Sequence, residues 1–140
     1  MNESIARFLE KQTCASVCCV DEAGKPWCFS CYYAADVSAG VLYFKSSAGS
    51  HHVDILRLNP AVAGTVLPDK LSKLTVEGIQ FEGQVLNSDD PLAEKALGHY
   101  LRRHPMAVAV AGDIWTIRLD HIKFTDSTLG FGKKLVWKRG

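Results

Sequence analysis

Ile5, Phe8 and Leu9 recur three and four residues apart among charged neighbours, which predicts a helix over residues 2–12 with one apolar stripe. The pattern then shortens. "TCASVCCV", "PWCFSCYYAAD" and "VLYFK" are brief apolar-rich runs, separated by the turns "DEAGKP" and "DVSAG". Short runs joined by tight turns predict three strands in an antiparallel meander. In "SHHVDILRLNP", Val53, Ile55 and Leu56 supply a helical stripe, with Ser50 or a nearby serine as N-cap and Asn59-Pro60 as the stop. "AVAGTVL" reads as a buried fourth strand and "LPDKLS" as a turn. "KLTVEGIQFEGQVLN" alternates, with Ile79, Phe81, Gly83 and Val85 on one side and Gln80, Glu82 and Gln84 on the other. Gly78 and Gly83 in that run predict a bulge or a bend. "SDDPLAEKALGHYLRRHP" predicts a helix capped by Asp89 or Asp90 and begun by Pro91. Leu92, Ala96, Leu97, Tyr100 and Leu101 would share its apolar face. "DIWTIRLDHIKFTD" is a long alternating strand, and "GFGKKLVW" a glycine turn with a terminal strand.

Seven strands and three helices, with most strands joined by tight turns, predict a mainly β fold. The expected form is a closed or nearly closed antiparallel barrel with helices at its rim. The 140 residues suit one domain, and 47% hydrophobic residues suffice for a core. A net charge of +1 gives no reason to expect a nucleic-acid or anionic-membrane partner. No apolar run approaches the roughly 18 residues of a membrane span, and the charged N-terminus lacks a signal-peptide centre. The expectation is a soluble, cytoplasmic protein without a membrane partner.

Cys28 and Cys31 form the one C-x-x-C spacing, but inside a strand they face opposite ways about 10 Å apart, too far for a bridge or a shared metal. Together with Cys14, Cys18 and Cys19 they are expected as reduced, buried core thiols.

The stretch "KSSAGSHH" carries the main candidate chemistry. Hydroxyls and free N–H groups at a helix start bind anions, although a capped loop with two exposed histidines would look the same. A metal held by His51, His52 and Asp54 is not expected, because adjacent histidines at a helix start diverge. A Ser50–His–Asp54 hydrolase lacks a nucleophile elbow. "GFGKK", residues 130–134, could wrap a phosphate, but a basic glycine turn is the commoner outcome. Trp115 and Trp137 read as packing residues. Glu77 and Glu82 have no evident carboxylate partner, and no catalytic acid or base is assigned.

The order of these features resembles the FMN-binding split β-barrel proteins, which include pyridoxamine 5′-phosphate oxidase. The matching residues are Asp21, Gly24, Pro26, Asp36, Phe44, Ser46, Ser50, Asn59, Pro60, Val62 and Ala63, and "RLDHIKF" resembles the closing strand. The ending "IKFTDSTLGFGKKLVW" is similar to that of a small branch of the family. The resemblance implies one split-barrel domain over residues 1–140, with six to seven strands and three peripheral helices. It implies FMN, with its phosphate where the third strand meets the short helix. Phe44, Lys45, Ser46, Ser50, His51 and His52 would be at the phosphate, Tyr32 on the strand lining the flavin, and Lys133 a source of replacement charge. It also implies a homodimer with the flavin near the subunit interface.

The chain departs from the oxidase pattern at several places. The oxidase's phosphate-binding Arg corresponds to the neighbourhood of Cys28 and Phe29. Its basic pair is His51-His52 here, its Gln falls at Gly78 and its Trp at Thr125. Its substrate-binding Arg-x-His has no counterpart. Pyridoxamine phosphate oxidation is therefore not expected. The expected function is an FMN-dependent oxidoreductase of open small-molecule substrate. The alternative is a non-enzymatic ligand- or protein-binding barrel that has lost its flavin, with haem binding ranked after it.

Overall fold

The computed structural model describes residues 1–129 and 133–140. Helix α1 (Glu3–Lys11) precedes strands β1 (Cys14–Val20), β2 (Pro26–Asp36) and β3 (Val41–Ser46). Helix α2 (His51–Leu58) leads to β4 (Ala61–Val66) and β5 (Glu77–Val85), then to α3 (Ala96–Arg103), β6 (Asp113–Asp126) and β7 (Lys134–Lys138). The seven strands form one antiparallel sheet in the order β3-β2-β1-β4-β5-β6-β7, and β3 also pairs with β6. That extra pairing closes six strands into a barrel and leaves β7 as an added strand. The mainly β barrel with three helices is the expected fold.

Alternation decides which residues fill the barrel. Val17, Leu42, Ile79, Ile117, Leu119 and Ile122 point inward and are fully buried. Each such side chain stabilises the fold by about 1.5–3 kcal/mol relative to exposure. Helix α1 adds Ile5, Phe8 and Leu9 to the same core, with Phe8 against Phe124 at 5.1 Å between ring centroids. The Tyr33 hydroxyl donates to the Leu9 carbonyl at 2.7 Å, satisfying an acceptor in the last turn of α1. On the outer side, α3 packs Ala96 and Tyr100 over Ala34, Val41 and Tyr43.

The ladder between β5 and β6 shifts register between Glu82 and Gly83, the bulge that the glycine pattern predicts. A Cβ at Gly83 would collide with the Arg118 carbonyl oxygen, so the close approach of the two strands requires glycine there.

Three expectations change. The predicted helix around Pro91 is split into a 3-10 turn (Pro91–Ala93) and α3, and Leu97 is 59% exposed. Asp90 does cap the turn, accepting from the Leu92 N–H at 2.9 Å. The strand expected from residue 73 begins only at Glu77, with Leu74 and Val76 exposed. The cysteines are not all reduced core thiols. Cys18 and Cys28 are bonded to one another, Cys14 is exposed and Cys31 half-buried, and Cys19 alone is fully buried. The β1–β2 register, which places Cys18 directly opposite Cys28, is the reason. Cys28 and Cys31 are not joined, as their spacing requires.

Candidate functional site

The site forms where β3 ends and α2 begins. Ser46 is the last residue of β3, and Ser50 occupies the N-cap position of α2. Ser46 Oγ shares a hydrogen bond of 2.6 Å with His52 Nε2 and lies 3.2 Å from Ser50 Oγ. Ser50 Oγ is also 3.3 Å from His52 Nε2. Ser50 directs its hydroxyl proton to the Ser47 carbonyl at 2.8 Å and makes no side-chain cap bond to α2. The first N–H groups of α2 thus receive no side-chain acceptor from Ser50. A helix start with uncapped donors and adjacent hydroxyls suits an anion.

Two rings of β2 hold the histidines. Phe29 stacks on His52 with centroids 3.8 Å apart and planes 10° apart, and Trp27 meets His51 edge-on at 4.7 Å. Burial, with a smaller contribution from His51, holds the His52 pKa below the ordinary histidine value. His52 is therefore neutral at neutral pH and offers one N–H and one lone pair. Trp115 Nε1 donates to the Ser46 carbonyl at 3.4 Å, fixing the end of β3 from the β6 side.

The other candidates lie elsewhere. Phe44 is buried in the barrel against Phe29. Lys45 points outward and donates to the Ala107 carbonyl at 2.7 Å. Tyr32 is 64% exposed and stands near His104, while its neighbour Tyr33 faces the core, the division that strand alternation predicts. Lys133 lies beside the Lys134–Thr125 pair, whereas Ser46 pairs with Asp113 at the opposite end of β6. Of the glycine turn expected at 130–134, residues 130–132 lie outside the described residues. Trp115 and Trp137 both pack against the core. Trp27 and Phe29 are the site residues that sequence reasoning missed as ring partners of the histidines. Their meeting with α2 depends on how two elements cross, and no local spacing records that.

A groove of about 1240 Å³ is lined by other residues than the cluster's, and reaches it only through Asp113 and Trp115, the ladder and hydrogen-bond partners of Ser46. Asp113, Trp115 and Thr116 of β6, Arg57 of α2, and Asp90 and Glu94 are among its lining residues. Thr116 is 2% exposed, and its hydroxyl has no hydrogen-bond partner among the described residues. No group of three or more His, Cys, Asp or Glu among the described residues is gathered to hold a metal ion. No helix among them is long and apolar enough to cross a membrane.

A six-stranded antiparallel barrel, closed by β3 on β6, with a polar cluster at the start of the helix after β3, defines a split-barrel protein. Residues 1–125 match the family described as pyridoxamine 5′-phosphate oxidase, and the chain belongs to that family. It is 37% identical over 136 residues to the UPF0306 protein YhbP of Escherichia coli (strain SMS-3-5 / SECEC). That match covers 97% of this chain and 92% of the relative.

Three solved structures show the same fold. A haem-binding protein from Mycobacterium smegmatis superposes with a TM-score of 0.78 at 14% identity, over 99% of this chain and 59% of that one. The chain thus spans only 59% of the length of that protein. A FAD-binding protein from Mesorhizobium loti gives 0.67 at 17% identity, over 87% and 92% of the two chains. An F420 reductase gives 0.64 at 21% identity, over 87% and 98%.

Proposed function

We propose that the chain binds FMN and serves as a flavin-dependent oxidoreductase acting on a small molecule. The observation that carries this reading is the convergence of Ser46, Ser50 and His52 at the uncapped start of α2. These groups fit a phosphate. The two hydroxyls and the neutral imidazole are adjustable donors, and the N–H groups of the first turn add the positive end of the helix dipole. Phe29 and Trp27 keep the imidazoles from swinging away. The groove lined by Asp113 and Trp115, the partners of Ser46, gives room for a small molecule. When bound, the flavin supplies the hydride or electron transfer, while the protein binds and orients it. A FAD-binding protein and an F420 reductase of the same fold support the reading.

The reading includes a homodimer with the flavin near the subunit interface. The exposed apolar side chains Met106, Val108 and Val110 supply surface suited to such an interface. Light scattering of the purified protein should give twice the chain mass.

One observation favours a second reading, a binding barrel without flavin turnover. Among the described residues no Lys or Arg side chain is hydrogen-bonded into the cluster, and the neighbouring Lys45 is engaged at the Ala107 carbonyl. A ligand held by neutral donors is held more weakly than one on guanidinium groups. Haem-binding proteins share the fold.

Absorption spectra before and after FMN addition and desalting separate the readings. Retained flavin bands near equimolar amount are expected, and His51→Ala with His52→Ala should weaken FMN binding at least tenfold. An unchanged affinity in the double variant would mean that the phosphate lies elsewhere. A protein that shows no FMN binding even in titration favours the second reading, and a haem spectrum on adding haem favours its haem form.

A further inference from the structure

The five cysteines divide between the two sides of the β1–β2 ladder, and the two sides differ in chemistry. Cys19 faces the core, and burial pushes its thiol up. Cys31 packs against the core, and burial, with a smaller contribution from Cys14, pushes its thiol up to about 12. Neither is a thiolate near neutral pH, and neither is a ready nucleophile.

The outer side is open. Cys28 is exposed there, and half-buried Cys18 stands opposite it across the ladder. Their Cα atoms are 4.3 Å apart and their sulfurs are bonded. Cys14 occupies the same side of β1 but lies four residues away, about 13 Å along the strand. That is beyond disulfide reach. Within the chain, the outer-side chemistry therefore pairs Cys18 with Cys28.

The hairpin does not depend on this bond for its shape. Ladder pairing runs from Cys14–Tyr32 to Val20–Pro26, and the turn is closed by Asp21 N–H to the Lys25 carbonyl and by two N–H bonds to the Asp21 carboxylate. Register alone keeps the two cysteines opposed when the bond is open. An exposed sulfur whose leaving partner stays tethered across the strand meets the access requirement of thiol–disulfide exchange.

We propose that Cys18 and Cys28 form a reversible dithiol–disulfide couple that exchanges with low-molecular-weight thiols and disulfides. In the oxidising direction the Cys28 thiol loses its proton to water. Its thiolate attacks one sulfur of the small disulfide, forming a mixed disulfide and releasing one small thiolate. Cys18, deprotonated in turn, attacks the Cys28 sulfur, closes the protein disulfide and expels the second small thiolate. The two protons lost by the protein are taken up by the two small thiolates. Two electrons thus pass from the protein dithiol to the small disulfide, and the reverse sequence opens the bridge. Cys28 lies between Trp27 and Phe29 on β2, the two rings that hold His51 and His52.

The test uses the full chain, folded, in glutathione mixtures from fully reduced to fully oxidised. Samples are acid-quenched, unfolded, alkylated and digested for mass spectrometry. In oxidised glutathione the expected result is a linked Cys18–Cys28 peptide, with Cys14, Cys19 and Cys31 alkylated or carrying glutathione and none of them cross-linked. In reduced glutathione the bridge should open without denaturant, with the same midpoint reached from either direction. Cys18→Ser should accumulate a glutathione adduct on Cys28, and Cys14→Ser should leave the couple unchanged. Failure of the linked peptide to form in oxidised glutathione overturns the proposal. A linked peptide that reduced glutathione cannot open in the folded protein also overturns it, because the bond is then a fixed staple.

Discussion

His52 shows how much one side chain takes from its surroundings. Phe29 covers one face of its ring, Ser46 occupies Nε2, and burial disfavours the imidazolium. The unfolded chain takes up this proton as pH falls through about 6.5, while the folded protein resists it. The stabilising contribution of neutral His52 is therefore complete above that range and is lost as pH drops through the folded-state value. The urea midpoint is expected to fall between pH 7.5 and 5.5, and His52→Gln should flatten part of that fall. Thr116 makes the opposite kind of case. Its buried hydroxyl meets no partner among the described residues, so Thr116→Val removes a desolvated polar group at constant shape. Stability should rise by about 1 kcal/mol, measured by urea unfolding. Ser46, Ser50 and His52 were legible as a candidate cluster because they are near neighbours in sequence at a helix start. Phe29 was not, because its place over His52 is set by the packing of β2 across α2.

At the scale of elements, the period of two and the Gly and Pro punctuation located the strands and their turns. The bounds of β2 and β6 follow directly from "PWCFSCYYAAD" and "DIWTIRLDHIKFTD". Alternation alone overextended β5, because Leu74 and Val76 alternate without a partner strand to receive them. The break before α3 was also missed. The apolar positions continue through it, but the Asp90 cap and Pro91 set a tighter turn than an α-helix. The Gly83 bulge gives a sharp test of element packing. Gly83→Ala would drive a methyl group into the Arg118 carbonyl and against Ile117. The expected cost is about 1–3 kcal/mol, seen as a lowered urea midpoint. An alanine tolerated without loss would show that the β5–β6 approach is looser than described.

For the whole molecule, the composition and strand count implied a barrel, but no sequence period states which strands meet to close it. The closure sets β3 against the first half of β6, while β7 takes the second half along the same edge. Closing one strand on another far along the chain has a consequence in time. Residues 41–46 must find residues 113–118, and the entropy of drawing that long segment into a loop is lost before the new pairings return anything. Local hairpins such as β1–β2 can form within microseconds, yet they leave the barrel open and its inner side wet. The rate of folding should therefore be set by late closure and fall in the millisecond-to-second range typical of non-local β topologies. Stopped-flow refolding followed by tryptophan emission measures it directly, with Trp115 on the closing strand as a reporter. Until β6 arrives, Leu42 and Phe44 have no opposing wall, so the nascent chain presents an apolar sheet to its neighbours for as long as that search lasts.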